Sequence, residues 1–533
     1  MSIELTLAAY LPSHPKPEGL KFTYGTAGFR MNATHLDYVN FTTGIIASLR
    51  SKFLDGETVG VMITASHNPP EDNGVKVVDP LGSMLESSWE SYATTLANSS
   101  HDELLPNILK LVEQLNIDLK IPGNVVIARD SRESSERLTQ STMDGFRSVP
   151  DVKFKDFGLL TTPQLHYITR TTNDAKFGFD TEKGYYYKLQ DSFGKIFELC
   201  GERAKIDITI DAANGVGAPK IHDLFTNYLS HTITFNLVND KFETPELLNF
   251  ECGADYVKTN QKLPKNVAPT PNKLYASFDG DADRLICYYV DPEFNLLDGD
   301  KMSTLIALFL QRLFKEINTD KLKLDIGVVQ TAYANGASTK YIENVLKLPV
   351  RCTPTGVKHL HHEAENFDIG VYFEANGHGT VIFNPEAERR IFNYIPATLK
   401  EARAVEILKE FSKLINQTVG DAISDLLVVL IILRYLELSP QDWNKCYQDL
   451  PNKLVKVIVP DRSIFKTTNA ERTLVEPVGL QDKIDAEVAK YNQGRSFVRA
   501  SGTEDAVRVY AEADIKDNVE ALAKAVSDLV SNF

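Results

Sequence analysis

The sequence predicts an α/β protein made of several domains. Three observations carry that expectation. Short apolar runs recur along the chain and each stops at a polar loop. Amphipathic helical patterns lie between the runs. The chain has 533 residues, which at roughly 100–200 residues per domain calls for three to five domains.

The apolar runs come in order. Val59–Ile63 ends in TASHNPPEDNG, Val125–Ala128 in RDSRESS, and Ile206–Ile210 in DAANGVGA. Leu274–Phe278 ends in DGDADR, Ile326–Val329 in QTAYANG, and Ile369–Phe373 in EANGHGT. Unbroken runs of this length suit strands buried on both faces. In 398–417, Val405, Leu408, Phe411, Leu414 and Ile415 recur at helical steps; near the end Val519, Leu522, Val526 and Leu529 do the same, with Asp517 and Glu520 placed like an N-cap and its partner. Alternation of strand and helix argues α/β, and in open α/β sheets ligands lie beyond the carboxyl ends of strands. Domain boundaries are expected in loops near 180–200, 295–300 and 435–455, with Asp442–Pro451 as a connector.

Composition narrows the function. Hydrophobic residues at 43% and charged residues at 24% are ordinary globular usage, which excludes disorder and fibrous repeats. With 57 Lys and Arg against 72 Asp and Glu, the net charge is −15. That surface repels nucleic acid and anionic membranes, so neither is expected as a partner. The run Leu426–Leu433 (LLVVLIIL) is far shorter than the ~20 residues that span a bilayer and reads as a buried segment. Five scattered cysteines without a CxxC pair read as reduced thiols, and Met1-Ser2-Ile3-Glu4 has no basic segment leading into an apolar one. Both point to the cytoplasm.

Four loops carry chemistry. In Thr64-Ala65-Ser66-His67-Asn68-Pro69-Pro70 the prolines stiffen the backbone after a strand, so Ser66 can be a nucleophile or a phosphate carrier. No G-x-S-x-G elbow surrounds it, which disfavours acyl hydrolysis; the plain alternative is a turn serine bonded to its own backbone. In Asp279-Gly280-Asp281-Ala282-Asp283-Arg284 three carboxylates alternate. At ~4 Å and an effective dielectric of ~20, each pair would repel by about 4 kcal/mol, and a divalent cation such as Mg²⁺ removes that cost. The alternative is a solvated acidic turn. In Glu374-Ala375-Asn376-Gly377-His378-Gly379-Thr380 a carboxylate and an amide two apart on an extended segment suit sugar hydroxyls, or else form a glycine-rich hairpin turn. In Arg499-Ala500-Ser501-Gly502-Thr503-Glu504-Asp505, followed by Arg508, a cation, two hydroxyls and backbone N–H groups form a phosphate cradle, or a surface hairpin with exposed arginines.

Minor candidates are Arg30 in Gly25–Arg30 (GTAGFR), Lys76, and Lys358 and His359 in Thr355-Gly356-Val357-Lys358-His359. Alone, each is more often a solvated cation or a satisfied core histidine. His361 and His362 beside Glu363 read as a helix start. Asn214-Gly215-Val216-Gly217 lacks the last glycine of a dinucleotide fingerprint, so NAD is not expected.

Together and in this order, YGTAGFR, TASHNPPEDNGVK, DGDADR, FEANGHGT and RASGTEDAVRVY resemble the α-D-phosphohexomutase superfamily over residues 24 to 511. The Glu-Ala-Asn-Gly-His loop differs from the Glu-Glu-Ser-Phe-Gly of glucose-type members and the Glu-Met-Ser-Gly-His of mannose-type members. With Ala282, NFECGADYVK (249–258) and 442–450, it is most similar to fungal members that act on N-acetylglucosamine phosphates.

The resemblance implies four domains around a central cleft, three similar α/β domains with mixed sheets and a smaller α+β C-terminal domain. Boundaries are placed at 1–185 (phosphoserine loop), 186–298 (metal loop), 299–440 (sugar loop) and 441–533 (phosphate-binding domain). It implies interconversion of N-acetylglucosamine 6-phosphate and 1-phosphate through phosphoserine at Ser66 and a 1,6-bisphosphate, on the route to UDP-N-acetylglucosamine. One Mg²⁺ per chain would be held by Asp279, Asp281, Asp283 and the Ser66 phosphate, with a hexose 1,6-bisphosphate as activator. Catalytic candidates are Ser66, His67, Lys76 and Arg30, with Lys76 ranked first as proton shuttle or charge stabiliser and His67 next. Arg284, Thr355, Gly356, Lys358, His359, Glu374, Asn376, Gly377 and His378 would bind substrate; Arg499, Ser501, Gly502, Thr503 and Arg508 would hold the non-reacting phosphate. The partner would be a small-molecule sugar phosphate, and the chain a monomer or homodimer. The rivals are a glucose- or mannose-type mutase and a phosphoserine-dependent sugar-phosphate phosphatase.

Overall fold

The computed structural model describes residues 2–201, 204–318, 320–501 and 506–532. The chain forms two compact units, one of residues 1–298 and 407–435, the other of 299–406 and 436–533.

The first unit holds two mixed five-stranded sheets. One runs in the order Phe29–Asn32, Asp72–Val78, Thr58–Ile63, Gly123–Arg129, Val152–Leu159. Asp72–Val78 is antiparallel to both of its neighbours, and the remaining pairs are parallel. The other runs Phe294–Leu297, Leu285–Val290, Tyr275–Phe278, Ile206–Asp211, Ile233–Val238. Here Leu285–Val290 is antiparallel to both neighbours and the rest are parallel. Thr58–Ile63 and Tyr275–Phe278 are buried at every position, as unbroken apolar runs require.

The second unit holds a four-stranded sheet, Val350–Thr353, Ile326–Thr331, Ile369–Phe373, Gly379–Phe383, parallel except for its last strand. It also holds an antiparallel sheet, Asn452–Ile458, Ala506–Glu512, Arg495–Ala500. Helix Lys516–Ser531 packs Val519, Leu522, Val526 and Val530 into the core beside that sheet.

One arrangement recurs in the three mixed sheets. A buried strand runs to its carboxyl end, turns through a polar loop, and returns as an antiparallel neighbour. Thr58–Ile63 returns as Asp72–Val78, Tyr275–Phe278 as Leu285–Val290, and Ile369–Phe373 as Gly379–Phe383. The Ser66, Asp279 and Glu374 motifs occupy these three equivalent loops.

Several expectations are corrected. Residues 182–199, expected as a loop, form helix Glu182–Leu199, whose cap Thr181 accepts from Gly184. Near 435–455, Pro440–Asn444 is a short helix whose buried Trp443 donates to the Lys301 carbonyl, so the connector is anchored there. Asp517 lies in the first turn of its helix; the N-cap is Ile515, which has no side-chain acceptor to offer. His361 and His362 fall in the last turn of helix Val357–Ala364, not at its start, and His361 Nδ1 is 3.0 Å from the Tyr372 hydroxyl. The apolar run 426–433 is buried, as expected, inside helix Ala422–Leu436, whose residues 422–433 are all buried. No helix among the described residues is long and apolar enough to cross a membrane.

Candidate active site

The Ser66 loop is held in an uncommon conformation. Ser66 has φ +54°, a left-handed value that non-glycine residues adopt at a cost of roughly 1–2 kcal/mol. Two side chains hold it there. Arg132, fully buried beside Asp130, donates to the carbonyls of Ser66 (3.2 Å), Asn68 (2.7 Å) and Asp72 (2.8 Å). Asn249 Nδ2 donates to the same Ser66 and Asn68 carbonyls at 3.0 and 3.1 Å. Thr64 Oγ1 accepts from the Ser66 N–H at 3.0 Å and donates to Asp130 at 2.8 Å.

The result aims the Ser66 hydroxyl at the acidic loop. Ser66 Oγ donates to Asp279 Oδ2 at 2.6 Å. The approach needs Gly280, because a Cβ there would lie 2.5 Å from the Ser66 carbonyl oxygen. Asp279, Asp281 and Asp283 are all buried, with one carboxylate oxygen each lying within 4.8 Å of the others. Asp279 Oδ1 accepts from the N–H groups of Asp283 and Arg284, both at 3.1 Å. Asp281 is fixed by Thr162, which opens helix Thr162–Asn173 and donates its hydroxyl to Oδ2 at 2.6 Å. The Ala282 carbonyl accepts from Ala422 N at 3.0 Å, so the start of the buried 422–436 helix also fixes this loop.

This is a site that fits a divalent cation. Asp281 Oδ1 is buried and takes no hydrogen bond among the described residues. Burial, then the neighbouring Asp283 and Asp281 charges, hold the Asp279 carboxyl well above the usual carboxylate range. All the donors are carboxylate oxygens, which suit Mg²⁺. A bound cation would reverse the destabilisation that burial and mutual repulsion impose.

Cations surround the triplet. Lys76 Nζ is 3.9 Å from Asp283 Oδ2, and Arg284 Nε is 3.9 Å from both Asp279 Oδ2 and Asp283 Oδ1. Arg30 stands directly across the strand pair from Gly74, two residues before Lys76, and Asp281 and Asp283 lie in its field. His67 Nδ1 is 3.4 Å from Ser66 Oγ. Burial, then Arg284 and Arg30, push its pKa down to about 3, so the imidazole is neutral at pH 7.

The second unit carries the remaining candidates. Residues 374–378 form a tight turn between paired strands, not an extended segment; Glu374 N donates to the His378 carbonyl at 2.9 Å. Glu374 and Asn376 nevertheless share a side, with Asn376 Nδ2 3.2 Å from Glu374 Oε2. His378 is buried and its N–H donates to Asn376 Oδ1. Lys358 and exposed His359 sit in the first turn of helix Val357–Ala364, after Gly356 at φ +128°. Arg499 and Arg508 are cross-strand partners, and Lys456 pairs with Arg508 on its other side. Like charges directly opposite each other are destabilising, and an anion offsets that. Ser501, just past the end of the strand that carries Arg499, is buried. Gly502 and Thr503 lie outside the described residues.

Sequence reasoning missed Arg132, Thr162, Asn249 and Lys456. Arg132 lies in a strand-end loop that was singled out, and Thr161-Thr162-Pro163-Gln164 carries a capping-box pattern. Asn249 has no local signal, because its role exists only where two sheets meet within the first unit.

Family models agree with this picture along the chain. "Phosphoglucomutase/phosphomannomutase, alpha/beta/alpha domain I" matches residues 27–103 and 106–179, and the C-terminal domain of the same description matches 454–529. Between them, "Phosphoacetylglucosamine mutase AMG1, domain II" matches 176–286 and domain III matches 298–438. The chain is 72% identical to the phosphoacetylglucosamine mutase of Candida albicans, over 99% of this chain and 100% of that one. A crystal structure of N-acetylglucosamine-phosphate mutase in its substrate complex, described as a member of the α-D-phosphohexomutase superfamily, superimposes with a TM-score of 0.98 at 73% identity, over 100% of both chains. The Aspergillus fumigatus N-acetylphosphoglucosamine mutase in complex with GlcNAc-6P and magnesium superimposes with a TM-score of 0.95 at 47% identity, over 100% of this chain and 99% of that one. The fold and the ordered loops define a phosphohexomutase. Within that superfamily the chain belongs to the phosphoacetylglucosamine mutase family. Its reaction is the interconversion of N-acetylglucosamine 6-phosphate and 1-phosphate, and the glucose- and mannose-type alternatives are not favoured.

Two measurements follow from the geometry. Asn249→Ala removes two hydrogen bonds that hold the Ser66 loop, and steady-state kinetics should show kcat lowered about tenfold with KM little changed. His67 stays neutral in the folded chain but takes up a proton in the unfolded chain below about pH 6.5. Stability is therefore present above that pH and is lost as pH falls. Between pH 7 and 5 the loss from this group should be about 1–2 kcal/mol, and thermal unfolding of His67→Gln should show a correspondingly smaller decline.

Proposed function

We propose that Ser66 is the phosphoryl carrier of this mutase. The observation that supports this most is the 2.6 Å contact of Ser66 Oγ with Asp279 Oδ2, inside a buried carboxylate triplet and under a ring of cations. In the forward direction the Oγ–phosphorus bond of phosphoserine breaks as a sugar hydroxyl forms its own bond to phosphorus and gives up its proton. The product is a 1,6-bisphosphate. After it turns over, its other phosphoryl group returns to Ser66.

A magnesium ion held by Asp279, Asp281 and Asp283 would supply positive charge at the transferring group, and the magnesium complex of the Aspergillus fumigatus relative supports that assignment. The chain's own residues do the rest. Arg132 and Asn249 keep the Ser66 loop aimed in line. Lys76, against Asp283, is the first candidate for moving the proton of the attacking hydroxyl. Arg30 and Arg284 offset negative charge on the phosphoryl oxygens. His67 stands beside Ser66 Oγ and is kept neutral at pH 7 by burial, Arg284 and Arg30, which suits it to hydrogen bonding.

Glu374, Asn376, Gly377 and His378 would meet the sugar hydroxyls, and Thr355, Gly356, Lys358 and His359 would orient the ligand. The cross-strand row Arg499, Arg508 and Lys456, with Ser501, would hold the non-reacting phosphate. Cations read a phosphate and not the ring that bears it, so one cradle can serve both ends of the ligand. A hexose 1,6-bisphosphate would restore phosphoserine lost to water and act as activator. We further assign the protein to the cytoplasm, to supply of the 1-phosphate for UDP-N-acetylglucosamine, to a monomer or homodimer, and to four domains, with the first division moved from 185 to before helix Glu182–Leu199 and the others kept at 298 and 440.

Mass spectrometry tests the carrier. Enzyme incubated with a hexose 1,6-bisphosphate should gain about 80 Da on the peptide containing Ser66. Ser66→Ala should lose both the adduct and the isomerisation of N-acetylglucosamine 6-phosphate. Full turnover by Ser66→Ala would contradict the assignment.

A further inference from the structure

A hairpin in the second unit presents a carboxylate to the proposed phosphate arginine. Strands Lys466–Thr468 and Thr473–Glu476 are joined through Asn469, Ala470 and Glu471, which have φ values of 53°, 55° and 65°. Three consecutive left-handed residues without a glycine are costly, and such strain persists only where contacts hold it. The contacts are at the tip. Glu471 Oε2 accepts from the Thr355 N–H at 2.9 Å and from the Thr355 hydroxyl at 2.6 Å. Glu471 Oε1 accepts from Arg499 Nε at 2.7 Å.

The donor set is informative. A backbone N–H, a hydroxyl and a guanidinium converge on one carboxylate, which is how proteins present donors to a phosphate. The donors come from the two loops assigned above to ligand binding. Tyr333 also interacts with Arg499, and Arg508 lies directly opposite it. Only a small part of Glu471 is exposed, at 16% of its side chain, so the exchange of one anion for another takes place in a largely shielded position.

We propose that Glu471 is an internal competitor for the phosphate of the ligand. Its carboxylate occupies the donors of Thr355 and Arg499, and a substrate phosphate binds by exchanging with it. This rests on the reading of Arg499 and Thr355 as ligand-binding residues. The competition weakens the hold on each phosphate. That suits a reaction whose bisphosphate must release one end, turn over, and engage the other. A carboxylate that merely positioned Arg499 would have the opposite effect, since removing it would weaken binding.

Steady-state kinetics of Glu471→Gln decides between the two. KM for N-acetylglucosamine 6-phosphate and the competitive inhibition constant of inorganic phosphate should both fall about three- to fivefold, the size expected from deleting a partly exposed ion pair. A rise in KM, or an unchanged phosphate inhibition constant, overturns the proposal. Glu471→Asp, one methylene shorter, serves as the second variant; it should show the same fall if it can no longer reach both Thr355 and Arg499, and a rise again overturns the proposal. Arg499→Ala tests the underlying reading separately. If its phosphate inhibition constant equals that of the unchanged enzyme, Arg499 is not a phosphate ligand and the assignment of that site fails. If Arg499→Ala weakens phosphate while the Glu471 variants do not tighten it, only the competitor fails.

Discussion

The first unit is organised around a repulsion that the fold imposes and does not itself relieve. Three aspartates are buried with one oxygen each within 4.8 Å of the others, and Asp281 Oδ1 has no hydrogen-bond partner among the described residues. At an effective dielectric of ~20, pairs at such separations cost several kcal/mol. Two of the three are nonetheless locked in place, Asp279 by the N–H groups of Asp283 and Arg284 and Asp281 by Thr162, and Ala422 holds the Ala282 corner between Asp281 and Asp283. Such an arrangement is built for a cation. It also explains why the chemistry can be both buried and anionic. The positive charge needed to neutralise a phosphoryl group is assembled locally, within a protein whose total charge is −15.

The second unit solves the reverse problem. Arg499, Arg508 and Lys456 stand in a row across three strands, so here the fold brings positive charges together and invites an anion. Glu471 supplies one from within the chain. The two units thus gather charge of opposite sign, carboxylates in the first and cations in the second.

Much of this was legible in the sequence because each strand ended at its functional loop. All six apolar runs are strands in the structure, and the Ser66, Asp279 and Glu374 loops sit at the carboxyl ends of three of them. Arg508 alternates with Val507 and Val509, which join the core cluster beside this sheet, so it lies on the other face of its strand. What could not be read were contacts made across sheets. Asn249 reaches Ser66 over 183 positions, and Glu471 reaches Thr355 over 116. Neither leaves a periodicity or a turn signature. The helix at 182–199 was missed because its aromatic residues obscure the polar face that marks a surface helix, and the Asp517 cap failed because propensity placed it two residues too late.

The central claim is that the Asp279, Asp281 and Asp283 carboxylates hold the cation that serves Ser66. Crystals of the phosphorylated enzyme grown with Mn²⁺ in place of Mg²⁺ test it directly through the metal's anomalous scattering. The account predicts a single strong peak within about 2.2 Å of one oxygen from each aspartate and of an oxygen on the Ser66 phosphate. A peak bound elsewhere, with the triplet bare and Ser66 still phosphorylated, would contradict it.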